Sequence, residues 1–189
     1  PYRCLSISRS VMIKKYSLFI KEGVIAIWLI ASDLLTKLAA FSLVGDGNTY
    51  SMLDNVFSIT CVRNMGATFG SFYGQKALLI SLTAVVCAAL LVLLIARPAL
   101  PKPLRMSVIF ILGGAVGNLY DRAVYGSVRD FIEYDFLKSM FDIDFAIGNV
   151  ADIYLMLGVL LLIVYIFFSY KEGDFVNSSW KKFKADANV

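Results

Sequence analysis

Aspartate, asparagine, lysine and arginine interrupt stretches of this chain that are otherwise apolar, and its 189 residues include no histidine. Without histidine there is no Ser-His or Cys-His nucleophile and no HExxH zinc site. Cys4, Cys61 and Cys87 show no CxxC spacing and are odd in number, so neither a zinc site nor a disulfide framework is expected. Any chemistry has to run on carboxylates, amides, Lys, Arg, Tyr or backbone groups.

Ionisable groups inside membrane-spanning segments are costly and usually face a bundle interior, which makes each a functional candidate. Asp33 and Lys37 stand four apart on one helix face and can neutralise each other, or Lys37 can snorkel to the surface. In "GGAVGNLYDR" (113–122), the glycines allow close helix approach, and Asn118, Asp121 and Arg122 share a face. Asp121 and Arg122 read either as a salt bridge fixing neighbouring helices or as part of a site. Asp130, in "GSVRDFIEY", is followed by Phe131 and Ile132, which would hold its carboxylate at the membrane surface. Taken alone it is an acidic loop residue. Asn149, Asp152 and Met156 share a helix face, and Asp152 alone reads as a helix-start residue favoured by the dipole. Taken together, Asp33, Asn64, Asn118, Asp121, Arg122, Asp130, Asn149 and Asp152 fall near one membrane face, where independent decoration would scatter them over both. The natural chemistry of such a cluster is a carboxylate pair.

The elements that would position these residues follow from composition. The chain is 59% hydrophobic and 17% charged, with a mean hydropathy of +0.73. A soluble domain carries about 25% charged residues, so the apolar excess requires lipid. Stretches long enough to cross a bilayer fall at about 18–41, 77–96, 104–125 and 149–169. The expected fold is a mainly α membrane protein, a four-transmembrane-helix bundle forming one domain over residues 1–189. The segment 42–76 alternates like short strands and ends Gly-rich, which predicts a small extracytoplasmic β-rich element. Residues 126–148 are expected as an extracytoplasmic loop. The first span contains Asp33 and Lys37 and reads as a retained helix, not a cleaved signal peptide, with residues 1–11 a loose extension ahead of it.

Orientation follows from the basic flanks. Arg3, Arg9, Lys14, Lys15 and Lys21 precede the first span; Arg97, Lys102 and Arg105 lie between the second and third; and Lys171, Lys181, Lys182 and Lys184 follow the fourth. The opposite side carries Asp46, Asp54, Asp130, Glu133, Asp135, Asp142 and Asp144. Both termini are therefore expected in the cytoplasm. The net charge of +4 reflects this orientation and not a nucleic-acid partner.

Five blocks, in order, carry a resemblance: "DLLTK" (33–37), "RNMGATFGSF" (63–72), "GGAVGNLYDR" (113–122), "VRDF" (128–131) and "NVAD" (149–152). They resemble the signature blocks of the lipoprotein signal peptidase (signal peptidase II) family. The resemblance implies a multi-pass aspartyl endopeptidase of the bacterial inner (cytoplasmic) membrane, with its active site near the outer face. Such an enzyme removes the signal peptide of a prolipoprotein just before the cysteine that carries diacylglycerol. The catalytic pair maps to Asp130 and Asp152. Asp33, Lys37, Asn64, Asn118, Asp121, Arg122 and Asn149 map as supporting polar residues, with Gly66, Gly114, Val128 and Ala151 as close-packing positions. The chain departs from the family pattern at Gly148, where Phe is commoner, at Thr68, where Ala is commoner, and in the length of 131–151.

In the mechanism this implies, one carboxylate draws a proton from the attacking water while its protonated partner donates to the carbonyl oxygen. Asn64 and Asn149 are expected to hydrogen-bond the substrate backbone or oxyanion, and Arg122 to be anchored by Asp121. No metal or cofactor is required, membrane lipids and the lipidated substrate are the expected partners, and a monomer suffices. A transporter or channel, or an assembly protein with charges as helix clasps, stands as the rival reading. The missing histidine excludes a rhomboid-type serine protease, and the missing GxGD block a presenilin-like one.

Overall fold

A computed structural model of the chain describes residues 2–54, 56–66 and 75–169, with residues 2–11 and 14 as backbone alone. Residues 67–74, including Thr68, and the tail carrying Lys171, Lys181, Lys182 and Lys184 lie outside the described residues. In chain order the elements are α1 (Tyr2–Leu43), β1 (Thr49–Leu53), β2 (Phe57–Asn64), α2 (Lys76–Ala96), α3 (Lys102–Tyr125), β3 (Val128–Glu133), α4 (Asp135–Phe141) and α5 (Val150–Phe168).

Four helical segments are long and apolar enough to cross a membrane: Lys15–Leu43, Lys76–Ala96, Lys102–Tyr125 and Val150–Phe168. They match the expected spans to within a few residues. Residues 2–11, expected as a loose extension, instead continue α1; "YRCLSISRSV" holds no Pro or Gly to stop a helix. α3 begins behind Pro101 with a proline in its first turn and ends at Gly126, whose φ of 80° is the left-handed conformation that closes helices.

α3 is the central helix. Half of its most apolar stretch is buried (50%), against 22% or less in the other three spans. Between helices in lipid, small residues and interhelical hydrogen bonds hold the contact. A Cβ at Gly113 would come within 2.8 Å of Leu29 on α1, and one at Gly114 would collide with the Ala151 carbonyl and Leu155 on α5. Lower on the same interface, Ser107 Oγ donates to the Gly158 carbonyl at 2.8 Å. Leu29, Leu94, Val108 and Ile109 form the apolar core between α1, α2 and α3. Large apolar side chains such as Leu82, Val92, Leu160 and Phe167 are left on the outside of the bundle.

At the end of the bundle away from the sheet, Arg105 donates to both carboxylate oxygens of Glu22 (2.5 and 2.6 Å). It also donates to the Leu94 and Arg97 carbonyls at 3.1 and 2.8 Å. Arg105, expected as an open flank charge, is thus a buried clamp joining α1, the end of α2 and α3, its guanidinium capping carbonyls at the C-terminus of α2.

The three strands form one antiparallel sheet in the order β1-β2-β3. The β1–β2 hairpin falls where alternation predicts it. The expected loop at 126–148 instead contains β3 and the short helix α4. Five of the six residues of β3, "VRDFI", are buried, so the strand lacks the polar face that would have given it away. Cys61, Phe131 and Ile132 of the sheet pack on Ala40 of α1, with Val150 of α5 beside them. This contact sets β3 over the ends of α1 and α5.

Candidate active site

β3 enters the site directly from the turn at Gly126, and its alternation sends Val128 and Asp130 into a cavity of about 280 Å³. Asp152, one turn into α5, reaches the same cavity, with Asn64, Asn118, Arg122 and Asn149 around it. Phe145, Ile147 and Leu155 supply its apolar wall.

Each carboxylate oxygen of the two aspartates has a donor. Asp130 accepts from the Asn149 amide at 2.6 Å on one oxygen and from the Asn64 amide at 3.0 Å on the other. Asp152 accepts from the Asn118 amide at 2.9 Å and from the backbone N–H of Asn149 at 3.0 Å. Asn149 therefore touches both aspartates. It is also the N-cap of α5, its carbonyl oxygen accepting from the Asp152 N–H at 3.2 Å, so the two residues form a capping box. Burial pushes the Asp130 carboxyl up to about 6; the amides of Asn149 and Asn64 oppose the shift, and the neighbouring Asp152 adds to it.

Beneath the cavity lies a buried charged network. Lys37 is fully buried and donates at 2.8 Å both to Asp33 and to the Asn118 carbonyl, with Asp121 3.4 Å away. It pairs internally, with no path to the surface for snorkelling. The other oxygen of Asp33 accepts from the Ala151 N–H at 2.9 Å, a backbone group of the first turn of α5. Room for Asp33 depends on Gly117, where a Cβ would collide with its carboxylate. Two anions, Asp33 and Asp121, and two cations, Lys37 and Arg129, thus balance one another among buried residues.

Several expectations are corrected by this geometry. Asp121 is not the anchor of Arg122: its carboxylate takes the Arg129 guanidinium at 2.8 Å and the Arg129 N–H at 3.0 Å. Neighbours on a helix point about 100° apart, so Arg122 turns instead to the Gly66 carbonyl at 3.1 Å. Gly66 is fixed in turn by its N–H, which donates to the Asn64 side-chain Oδ1 at 3.0 Å. The amides of Asn64 and Asn149 each donate one bond to Asp130. Met156, further along α5, lies 63% exposed. Gly114, Val128 and Ala151 do sit at close contacts, Val128 and Ala151 being buried.

Arg129 and Gly117 are the residues that sequence reasoning did not single out for these roles. A basic residue next to Asp130 was the one available signal, and it does not name the partner. Gly148, the departure from the family pattern, pairs with Ile132 as an isolated bridge, its carbonyl accepting from the N–H groups of Phe131 and Ile132 at 2.8 Å. A Cβ there would lie 3.2 Å from an Asp152 oxygen, so glycine leaves the flank of that carboxylate open. Among the described residues no three acidic or sulfur side chains gather in a way that could hold a metal ion.

Comparison with known proteins agrees with the placement of these blocks. A family model for signal peptidase (SPase) II matches residues 25–168. The lipoprotein signal peptidase of Bifidobacterium adolescentis is 37% identical over 175 residues, covering 87% of each chain. That of Clostridium tetani is 36% identical over 145 residues, or 77% of this chain and 91% of its own. A solved bacterial membrane enzyme superposes with a TM-score of 0.70 at 28% identity, covering 80% of this chain and 92% of the other.

Proposed function

The chain belongs to the signal peptidase II family, whose activity is the removal of signal peptides from prolipoproteins, and we propose that it performs this cleavage with Asp130 and Asp152 as an aspartyl pair. The observation that carries the reading is the shared cavity: both carboxylates line it, and Asn149 binds both. Two carboxyl groups at one site do not ionise together easily. The proton belongs to the pair; burial, which pushes the Asp130 carboxyl up to about 6, favours Asp130 as the acid and leaves Asp152 as the base.

Asp152 takes a proton from a water molecule as its oxygen attacks the scissile carbonyl. Asp130 gives its proton to the carbonyl oxygen, and the tetrahedral intermediate collapses with a proton returned to the leaving amine. General acid–base assistance of this kind contributes about 10²–10⁴-fold. The amides of Asn64, Asn118 and Asn149 hold the two carboxylates still while this happens, which supports orientation more than oxyanion binding. Cleavage falls before the diacylglyceryl-modified cysteine, with the apolar signal helix alongside the bundle and its end at the cavity.

The protein is a multi-pass membrane protein. The basic flanks support the bacterial inner membrane as its location, with both termini cytoplasmic and the aspartates near the outer face. One bundle holds every residue the reaction uses, which supports a monomer working in contact with membrane lipids.

The test is a gel-shift assay on a diacylglyceryl prolipoprotein with purified wild type, Asp130→Asn and Asp152→Asn. Wild type is expected to convert the substrate, and neither variant to do so while both remain folded. Full cleavage by either variant would sink the aspartyl assignment; a wild-type enzyme that leaves the substrate intact would sink the function.

A further inference from the structure

We propose that Arg129 is a positioning residue for the reaction, the member of the buried network that holds Asp130 opposite Asp152 by forking onto Asp121. The inference rests on the aspartyl pair proposed above and adds what sets the spacing of its two members.

The two aspartates come from elements that are not neighbours in sequence, and their separation has to be fixed by something rigid between them. On one side the link is known: Asn118 of α3 donates to Asp152 of α5 at 2.9 Å. Asn149 bridges the two aspartates from the start of α5 and Asn64 holds Asp130 from β2, but neither ties β3 to α3, the helix that Asp152 is bonded to. The tie to α3 is Arg129. Its guanidinium places one nitrogen 2.8 Å and another 3.3 Å from the two oxygens of Asp121, and its backbone N–H adds a third bond at 3.0 Å. The guanidinium also lies over the ring of Tyr125, 4.4 Å from its centroid. Asp121 is fully buried and Arg129 nearly so, so neither side chain has a competing partner in water.

A planar fork on a carboxylate fixes both distance and angle, which a point charge does not. Arg129 is bonded directly to Asp130 in the chain, and Asp121 sits one turn above Asn118 on the same helix face side. The path Asp130–Arg129–Asp121–Asn118–Asp152 therefore runs through one helix and rigid contacts only. Loss of the fork leaves β3 held to α3 only by the Arg129 N–H on Asp121 and the short turn at Gly126, and shifts of about 1 Å at reacting groups cost on the order of a hundredfold in rate.

The same chemistry occurs a second time where it has no bearing on the reaction. Arg105 forks onto Glu22 at the opposite end of α3 and is equally buried. It supplies the control that separates positioning from stability.

The experiment measures kcat and KM on diacylglyceryl prolipoprotein for wild type, Arg129→Lys and Arg105→Lys, each rate expressed per folded enzyme. Lysine keeps the charge and loses the fork. Arg129→Lys is expected to lower kcat by about tenfold to a hundredfold with KM within about twofold. Arg105→Lys is expected to lower the thermal midpoint and leave kcat per folded enzyme unchanged. A kcat for Arg129→Lys within about twofold of wild type overturns the proposal. So does a loss that vanishes on correction for folded enzyme, a loss matched by Arg105→Lys, or failure of Arg129→Lys to fold, since each makes Arg129 a stability residue alone. A wild type that cleaves normally beside an unaffected Arg129→Lys sinks this inference and leaves the aspartyl reading standing.

Discussion

Asn118 and Asp152 are joined across the α3–α5 contact by a 2.9 Å hydrogen bond whose direction is set from beneath. Lys37 donates to the Asn118 carbonyl at 2.8 Å, so the carboxamide can present only its amide to the aspartate. Hydrogen bonds to charged groups contribute about 1.5–3 kcal/mol. Asn118→Ala is therefore expected to reduce kcat by about tenfold or more, and Asn118→Asp, which sets a second carboxylate against Asp152, to reduce it further. Steady-state rates on lipidated prolipoprotein check both, and equal activity for the two variants would contradict the orienting role.

Removing the cation of the network should be felt mainly in stability. Lys37→Met would leave Asp33 and Asp121 buried with Arg129 as their remaining positive charge. Breaking a buried pair in this way costs about 3–5 kcal/mol. Adding Asp33→Asn to Lys37→Met restores the balance and is expected to recover a large part of the loss. Thermal unfolding in detergent reads this directly; a single variant as stable as wild type would show that the network is not electrostatically closed.

The pH dependence follows from Asp130. Its carboxyl is raised by burial to about 6, above the value it has in the unfolded chain. A carboxyl raised on folding favours the folded state fully below its unfolded value and loses that contribution as pH climbs through about 6. Wild type is thus expected to lose about 2 kcal/mol of stability between pH 4 and pH 8 that Asp130→Asn does not lose. In the proposed mechanism the same proton serves catalysis, so kcat/KM of wild type should fall along an alkaline limb beginning near 6. Parallel stability curves for the two proteins would remove Asp130 as the proton holder.

Gly114 offers a steric test. A Cβ there would run into the Ala151 carbonyl and Leu155, both next to the first turn of α5. Gly114→Val has to push α5 from α3, at a cost of about 1–3 kcal/mol, and to carry Asp152 away from Asn118 with it. Both the thermal midpoint and the rate should drop, and a variant with full activity would show that the α3–α5 spacing is not what sets Asp152.

The spans were legible because a run such as "ALLISLTAVVCAALLVLLIA" has one physical destination, and the hairpin because "TYSMLDNVFSITCVRN" alternates polar and apolar residues. β3 was not legible. Its pairing with β2 joins Asn64 to Val128 across the whole of α2 and α3, and its residues are buried on both faces, so neither local pattern nor alternation marks it. Its partner choice hid the rest. Asp121 lies beside Arg122 in the chain, and nothing local tells that a turn at Gly126 brings Arg129 back onto it. The polar residues themselves could be found one by one, because each is costly in lipid; which donor meets which acceptor depends on that return strand. The direction of the Asn64 and Asn149 amides was lost for the same reason, since both are aimed by Asp130 on β3.

The capping box at Asn149 and Asp152 has a consequence for anyone who would harden this enzyme. Helix starts are ordinarily among the easiest places to gain robustness by redesign. Here the start of α5 is closed to the engineer, because the carboxylate that caps the helix is the one proposed as the base, and no replacement keeps one duty without the other. The open positions lie elsewhere: Gln75, which heads α2 without any side-chain cap, is free to become Asp or Ser, a change worth about 1 kcal/mol.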